Sequence, residues 1–158
     1  MTKILGIDPG IERLGWGVLT KKENGKIERV DSGVMRTPKT DRVSKRLFAI
    51  QKFLDDLIKK EKPDLVSVEK LFFSKNVKTA MVVSEVRGVI LATIEKHNIP
   101  IVEFTPMQVK IAVCGTGAAE KKDVASMLKF SITLPSGRLL DDETDALAIA
   151  LTGLVYRC

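Results

Sequence analysis

Three strand-like segments follow one another at the start of this chain, before any helical pattern begins. Residues 2 to 9 and 15 to 20 are rich in apolar side chains, and residues 27 to 35 resume the pattern after a polar turn. That turn contains Asn24-Gly25, a pair typical of tight hairpins between two strands. The sequence therefore predicts a three-stranded β-meander at the start of the fold.

Helical and strand-like patterns alternate in the rest of the chain. From Asp41 the apolar spacing is that of a helix, which ends before Pro63. Further strands are predicted at about residues 65–69 and 99–104, and further helices at about residues 79–97, 107–113, 121–130 and 142–155. A meander followed by such alternation is typical of one mixed sheet covered on both faces. We therefore predict an α/β fold with a five-stranded mixed sheet and helices on both faces.

Nothing in the sequence divides the chain into parts. Its 158 residues, 44% of them apolar, suit one domain with one core, and no linker or repeat interrupts them. No apolar run approaches the roughly 20 residues of a membrane span, and no export signal is recognisable. Cys114 and Cys158 lack the spacing of a metal or redox motif, which fits a reducing compartment. We expect a single cytoplasmic domain over residues 1–158.

The charge of the chain favours a polyanionic partner. Lysine and arginine number 26 against 20 aspartates and glutamates, which gives a formal net charge of +6. Such an excess is common in nucleic-acid-binding proteins, although many basic proteins bind no nucleic acid. The indication becomes stronger if the acids gather in one place, because the remaining surface is then more basic.

Two acidic residues stand at the ends of predicted strands. Asp8 follows Ile4-Leu5-Gly6-Ile7 and precedes a Pro-Gly turn, and Glu69 ends the strand of residues 65–69. Functional groups in α/β folds gather at the carboxyl ends of neighbouring parallel strands. If these two strands are neighbours, the two carboxylates meet. The alternative for Asp8 is that it only caps the turn.

Two further acids open the last predicted helix. Asp142 and Asp145 are three residues apart, so they share one face of its first turn. The helix dipole lowers the cost of crowding negative charge there. As an alternative, Asp142 could be the N-cap and Asp145 could complete a capping box.

The four acids together indicate a metal site. Clustered carboxylates repel one another unless a cation neutralises them. Oxygen ligands without histidine or thiolate favour Mg²⁺ or Mn²⁺, and His97, the only histidine, is expected on the surface. Two such ions could activate a water and stabilise the leaving oxygen of a phosphodiester, which is nuclease chemistry.

Several short motifs recur in a specific order and spacing along nearly the whole chain. They are Ile4-Leu5-Gly6-Ile7-Asp8-Pro9-Gly10, Gly15-Trp16-Gly17, Glu69-Lys70-Leu71-Phe72-Phe73 with Asn76, Arg87-Gly88, Thr105-Pro106 with Val109-Lys110, Gly115-x-Gly117-x-Ala119-x-Lys121, and Asp142-x-x-Asp145-Ala146-Leu147-Ala148. With these motifs the sequence resembles the RuvC-type Holliday-junction resolvases, bacterial endonucleases of the ribonuclease-H-like fold.

The resemblance implies a mechanism and partners. It implies that Asp8, Glu69, Asp142 and Asp145 carry two Mg²⁺ ions, with Mn²⁺ able to substitute. It also implies a homodimer, built around the helix of residues 79–97, that resolves four-way DNA junctions in recombination and repair. Paired symmetric nicks with 5′-phosphate and 3′-hydroxyl ends are expected, as is cooperation with a branch-migration motor of the RuvA and RuvB type.

The same resemblance implies DNA contacts. Phe72 and Phe73 are expected to stack on bases unpaired at the crossover, although one of them could be an ordinary core residue. Asn76 could contact backbone or base. The basic candidates for phosphate contacts are Arg87, Lys110, Lys121 and Lys122, together with Lys75 and Lys78. The alternative for each lysine is a solvated side chain.

The chain departs from the family pattern in places, none of which removes a proposed ligand. Glu143-Thr144 replaces two alanines between the last two acids, and Asp123 stands where glutamine is common. The sequence stops at Cys158, somewhat early for the family. Asp141 adds a register ambiguity, because it or Asp142 could face the metal; the family motif favours Asp142.

Parts of the sequence also fit three other classes of protein. Gly6-x-Asp8-x-Gly10 also resembles the first phosphate loop of actin-like ATPases, but Asp31-Ser32-Gly33, the other Asp-x-Gly, lies inside the meander rather than in a second domain. A junction-binding module that does not cut would not need four converging acids. A nuclease acting on RNA–DNA hybrids or RNA is a third possibility, against which Glu69-x-x-Phe72 and Val109-Lys110 argue.

Overall fold

The computed structural model describes residues 1–70, 77–134 and 139–156, without the side chains of residues 77–79. The elements are β1 Thr2–Asp8, β2 Arg13–Lys21, β3 Ile27–Arg36, α1 Val43–Glu61, β4 Leu65–Glu69, α2 Val77–Lys96, β5 Ile101–Phe104, α3 Pro106–Cys114, α4 Lys121–Ser131 and α5 Asp141–Tyr156. Their order is the predicted one, and their ends lie within about two residues of the predicted positions.

The five strands form one mixed sheet in the order β3-β2-β1-β4-β5. The β3-β2-β1 part is the predicted antiparallel meander, and β1, β4 and β5 run parallel. In the β1–β4 ladder Ile7 pairs with Val68, so the next residues along, Asp8 and Glu69, end the two strands side by side. The prediction of a five-stranded mixed sheet is confirmed.

Helices cover both faces of the sheet, as predicted. Successive side chains of a strand point to opposite faces, so β1 sends Ile4 into one core and Leu5 and Ile7 into the other. The first core holds buried residues of α3, α4 and α5, and the second holds buried residues of α1 and α2. The sheet therefore separates two apolar cores.

Helix α5 lies unusually close to the sheet, because glycines face it. A Cβ atom added to Gly6 would stand 2.1 Å from the carbonyl oxygen of Ala146, and one added to Gly15 would stand 2.1 Å from the carbonyl oxygen of Asp142. Real Cβ atoms do not approach backbone oxygens so closely. The absence of these side chains lets the first turn of α5 sit directly against β2.

In the part of the chain that the structure describes, every helix is too short or too polar to cross a membrane.

Candidate active site

Four carboxylates line one open cleft at the carboxyl ends of β1 and β4. They belong to Asp8, Glu69, Asp142 and Asp145, all four of the acids selected from the sequence. The same cleft is lined by Pro9, Gly10, Arg13, Pro106, Val109, Lys110, Lys121, Val124, Ala148 and Ile149. The structure thus brings the four acids together, although their role as ligands stays a prediction.

The acids reach the cleft from three elements. Asp8 and Glu69 are the last residues of neighbouring parallel strands, as the sequence predicted conditionally. Asp142 and Asp145 lie in the first two turns of α5, which packs on β1 and β2. Rigid elements on both sides therefore fix the backbone of every acid.

The start of α5 shows that Asp142 is not the N-cap of the helix and that Asp142, rather than Asp141, faces the cleft. The helix begins at Asp141, so Asp142 lies inside the first turn and is not the N-cap. Asp142 lines the cleft, whereas Asp141 is exposed and is not among the lining residues. The family motif therefore identified the acid that faces the cleft.

Glu143, which replaces an alanine of the family pattern, anchors this first turn. Its Oε2 accepts a hydrogen bond from the Leu140 backbone N–H at 3.3 Å. Its Oε1 accepts one from the Ser32 hydroxyl of β3 at 2.5 Å, and the Arg29 guanidinium lies 3.9 Å away. The side chain is almost fully buried. This residue therefore ties the segment that carries Asp142 and Asp145 to the edge of the sheet.

Two capped helices carry the basic residues of the cleft. Thr105 and Gln108 form a capping box at the start of α3, which places Lys110 in the second turn. Asp123 accepts a hydrogen bond from the Glu120 backbone N–H at 2.8 Å, so it completes the cap of α4, whose first residue is Lys121. Asp123, the other departure from the family pattern, therefore has a capping role.

Burial and mutual repulsion raise the pKa values of the central acids. Burial, the largest cause, and the charges of Glu69, Asp145 and Asp142 together raise the pKa of Asp8 to about 8. The pKa of Glu69 is also raised, first by burial and then by Asp145. A carboxylate in this position is stabilised by a proton or a cation.

Two basic side chains hold the acids of α5. Lys121 Nζ donates to Asp145 Oδ2 at 3.0 Å, and this bond raises the pKa of the lysine. The Arg13 guanidinium forms an ion pair with Asp142 Oδ2. Arg13 was missed in the sequence analysis. The available signal was its position at the start of β2, because an antiparallel partner of β1 begins where β1 ends.

The donor set of the cleft fits a hard divalent cation. All four side chains offer carboxylate oxygens, the ligands that Mg²⁺ and Mn²⁺ prefer. Asp142 Oδ2 is buried and receives no well-directed hydrogen bond from the described residues, so this oxygen has unused capacity. Within residues 1–70, 77–134 and 139–156, no three acidic, histidine or cysteine side chains converge as an assembled metal site. The acids share the cleft, and two of them are paired with cations of the protein, Asp142 with Arg13 and Asp145 with Lys121.

The other residues predicted to contact DNA lie outside the cleft or outside the described residues. Arg87 Nε donates to Glu103 at 2.9 Å, which ties α2 to β5. Lys122 is exposed outside the cleft and pairs with Glu120 at 2.8 Å. Phe72, Phe73, Asn76 and Lys75 lie outside the described residues, as does the side chain of Lys78. None of these DNA contacts is tested by the structure.

His97 does not line the cleft, but it is partly buried rather than on the surface, where the sequence analysis placed it. Its Nε2 is 2.7 Å from Asp55 Oδ1, and only 17% of the side chain is exposed. Lys59 and Lys96 also bind Asp55, and these three partners lower the pKa of that carboxyl. The histidine therefore joins α1 to the end of α2.

The raised pKa of Asp8 predicts a pH-dependent effect of Asp8→Asn on stability. Because the native state holds this proton up to about pH 8 and the unfolded state releases it near its ordinary value of 3.8, the wild type loses stability as pH rises between them. The variant has no such loss. Measured in a chelating buffer, its melting temperature should exceed that of the wild type by at least about 4 °C at high pH, with a smaller difference in acid. A difference that does not change with pH would contradict the raised pKa.

Comparisons with known proteins were made for the whole chain. The family model described as "Crossover junction endodeoxyribonuclease RuvC" matches residues 4–153. The crossover junction endodeoxyribonuclease RuvC of Petrotoga mobilis is 52% identical over 147 residues, which are 93% of this chain and 90% of the relative. The Thermus thermophilus RuvC structure superposes with a TM-score of 0.90 at 32% identity, covering 99% of this chain and 95% of that one. The T. thermophilus RuvC in complex with Holliday junction substrate gives a TM-score of 0.89 at 29% identity, with the same coverage.

Proposed function

This chain belongs to the RuvC family of crossover junction endodeoxyribonucleases, and from that premise we propose that its acidic cleft is the site at which it resolves Holliday junctions. The protein is a nuclease of DNA recombination and repair with the ribonuclease-H-like fold of its family. The observation that carries the proposal is the gathering of Asp8, Glu69, Asp142 and Asp145 in one cleft of a basic protein.

The four carboxylates would hold the divalent cation on which nucleases of this family depend. We assign Mg²⁺ to the site, with Mn²⁺ able to substitute and two ions per cleft, because the ligands are all oxygens and carry up to four negative charges. When bound, such ions lower the pKa of an attacking water and neutralise the leaving oxygen. The strand ends and α5 then hold the carboxylates in place, and a bound cation would favour the ionised form of Asp8.

Lys110 and Lys121 are the basic residues best placed to bind the phosphate that is cut. Both line the cleft with the acids, and Lys121 Nζ already lies 3.0 Å from Asp145. A lysine beside a phosphodiester orients it and offsets the charge that develops on its oxygens. Lys121 would therefore exchange part of its contact with Asp145 for a contact with DNA.

The wider DNA contacts and the assembly are also proposed. Phe72 and Phe73 would stack on bases at the crossover, and Asn76 would contact backbone or base. Lys122 and Arg87 would bind phosphates, and Arg87 would do so while it keeps its hydrogen bond to Glu103. A homodimer would present two identical sites to the two-fold junction. We also propose that the nicks are symmetric and leave 5′-phosphate and 3′-hydroxyl ends. The protein would cooperate with a branch-migration motor of the RuvA and RuvB type and work in the cytoplasm.

Cleavage of an end-labelled four-way junction tests this function. The junction is compared with a linear duplex and an RNA–DNA hybrid, in Mg²⁺, in Mn²⁺ and in EDTA. We expect paired, symmetric nicks in the junction alone, and only with a divalent cation. Binding without nicks in several junction sequences would indicate a module that holds junctions without cutting them. Cutting of the hybrid instead would keep the metal site but change the substrate.

A further inference from the structure

Arg13 lies among the proposed metal ligands, yet the mechanism described above gives it no role. It is the first residue of β2, and its guanidinium forms an ion pair with Oδ2 of Asp142. About 40% of its side chain is exposed, so the guanidinium lies at the boundary between the acids and the open cleft. A cation of the protein therefore already contacts one of the oxygens proposed to bind a metal ion.

The contact between the two side chains leaves both incompletely bonded. Asp142 Oδ2 is buried without a well-directed hydrogen-bond donor, and Arg13 Nε is buried without an acceptor, in the part of the chain that the structure describes. Buried polar atoms are usually bonded, so each unbonded atom indicates room for another partner. The carboxylate oxygen suits a metal ion, and the guanidinium suits the oxygens of a phosphate.

We propose that Arg13 competes with the divalent cation for Asp142 and is withdrawn from it by a junction phosphate, so that cation and DNA bind cooperatively. This inference rests on the proposed function of the cleft. One carboxylate oxygen engaged by a guanidinium is less available to a metal ion, and the nearby positive charge also repels that ion. A phosphate that takes over the guanidinium removes both obstacles.

The coupling must act in both directions. If the junction raises the affinity for the cation by releasing Asp142, then the cation raises the affinity for the junction by the same factor. Free protein would thus bind the cation weakly, and the complete site would form mainly on DNA. Arg13 is a positioning residue in this scheme, since it acts on the metal site through Asp142.

The test measures Mn²⁺ binding to the full chain by electron paramagnetic resonance of the free ion. Arg13→Gln is compared with the wild type and with Arg36→Gln, a control that removes the same charge from the residue paired with Arg13 in the β2–β3 ladder. Arg36 is exposed and does not line the cleft. We expect Arg13→Gln to bind Mn²⁺ about five-fold more tightly or better, and Arg36→Gln to stay within about two-fold of the wild type.

A second arm adds a four-way junction whose crossover strands carry phosphorothioates to slow cleavage. The junction should raise the Mn²⁺ affinity of the wild type by about five-fold or more and that of Arg13→Gln by less than about two-fold. Arg13→Met, which keeps most of the aliphatic stem, replaces Arg13→Gln if circular dichroism shows that the latter is unfolded.

The outcomes separate this inference from the proposed function. Unchanged or weaker Mn²⁺ binding by Arg13→Gln, an equal effect of Arg36→Gln, or an undiminished junction effect would overturn the role of Arg13. If neither the wild type nor Arg13→Gln binds Mn²⁺ in the absence of DNA, the role of Arg13 is overturned as well. Mn²⁺ binding that survives Asp8→Asn unchanged would instead show that the cleft is not the metal site, which contradicts the proposed function itself.

Discussion

Asp8→Asn is expected to reduce junction cleavage by about a thousand-fold or more while leaving junction binding near the wild-type level. Burial and the neighbouring charges of Glu69, Asp145 and Asp142 raise the pKa of Asp8, which places this carboxyl at the centre of the four acids. The amide has nearly the same shape but no charge to attract a cation, whereas the basic residues proposed to contact DNA are unchanged. Single-turnover cleavage and a gel-shift titration with the same junction measure the two effects.

Asp56→Asn is the matched control for this variant. Asp56 is exposed on α1, on the side of the sheet away from the cleft, so the same loss of one negative charge should leave cleavage within about two-fold of the wild type. Cleavage by Asp8→Asn at a rate close to wild type would remove Asp8 from the site. Loss of junction binding by a folded Asp8→Asn protein would show that Asp8 acts in binding rather than in the cut.

Gly15→Ala is expected to destabilise the fold by about 1–3 kcal/mol and to lower cleavage by about ten-fold or more. The new methyl group would lie 2.1 Å from the carbonyl oxygen of Asp142 and 2.7 Å from its carbonyl carbon. Backbone atoms of a packed helix cannot rotate away as a side chain can, so the first turn of α5 must move. Such a shift displaces Asp142 and Asp145 from the strand-end acids, which affects the reaction as well as stability.

Gly33→Ala, in the neighbouring strand β3, is expected to have a smaller effect than Gly15→Ala. The three atoms nearest to its Cβ would all belong to the ring of Trp16, at 3.1 to 3.2 Å, and a side chain can adjust. Chemical denaturation and single-turnover cleavage should therefore show a smaller effect of Gly33→Ala on both properties. A Gly15→Ala protein with wild-type cleavage would mean that α5 can retreat from the sheet without disturbing the acids.

The strand-end acids could be predicted because they depend on local patterns and on one topological rule. Apolar runs that end in Asp8 and Glu69 locate two strand ends, and parallel neighbours bring such ends together. Asp142 and Asp145 follow from a spacing of three residues on a helix. Apolar runs, turn residues and the helical period together also predicted the order of the ten elements in the described part of the chain.

The contacts among these elements could not be predicted in the same way. The pairing of Arg13 with Asp142, and of Ser32 with Glu143, joins residues more than a hundred positions apart in the sequence. The approach of α5 to Gly15 depends on how the helix packs on the sheet. No local periodicity encodes these distances, because they arise from the packing of one element on another.

Because the sheet separates the two cores, mutations in one core should have little effect on the other. Residues Ile50, Leu54 and Ile90 of α1 and α2 pack against one face, and α5 with its acids packs against the other. Substitutions at sites that share no partners combine almost additively, so changes among the first group should alter stability with little effect on the reaction. The core between the sheet and helices α1 and α2 is thus where this scaffold can be repacked with little effect on its chemistry.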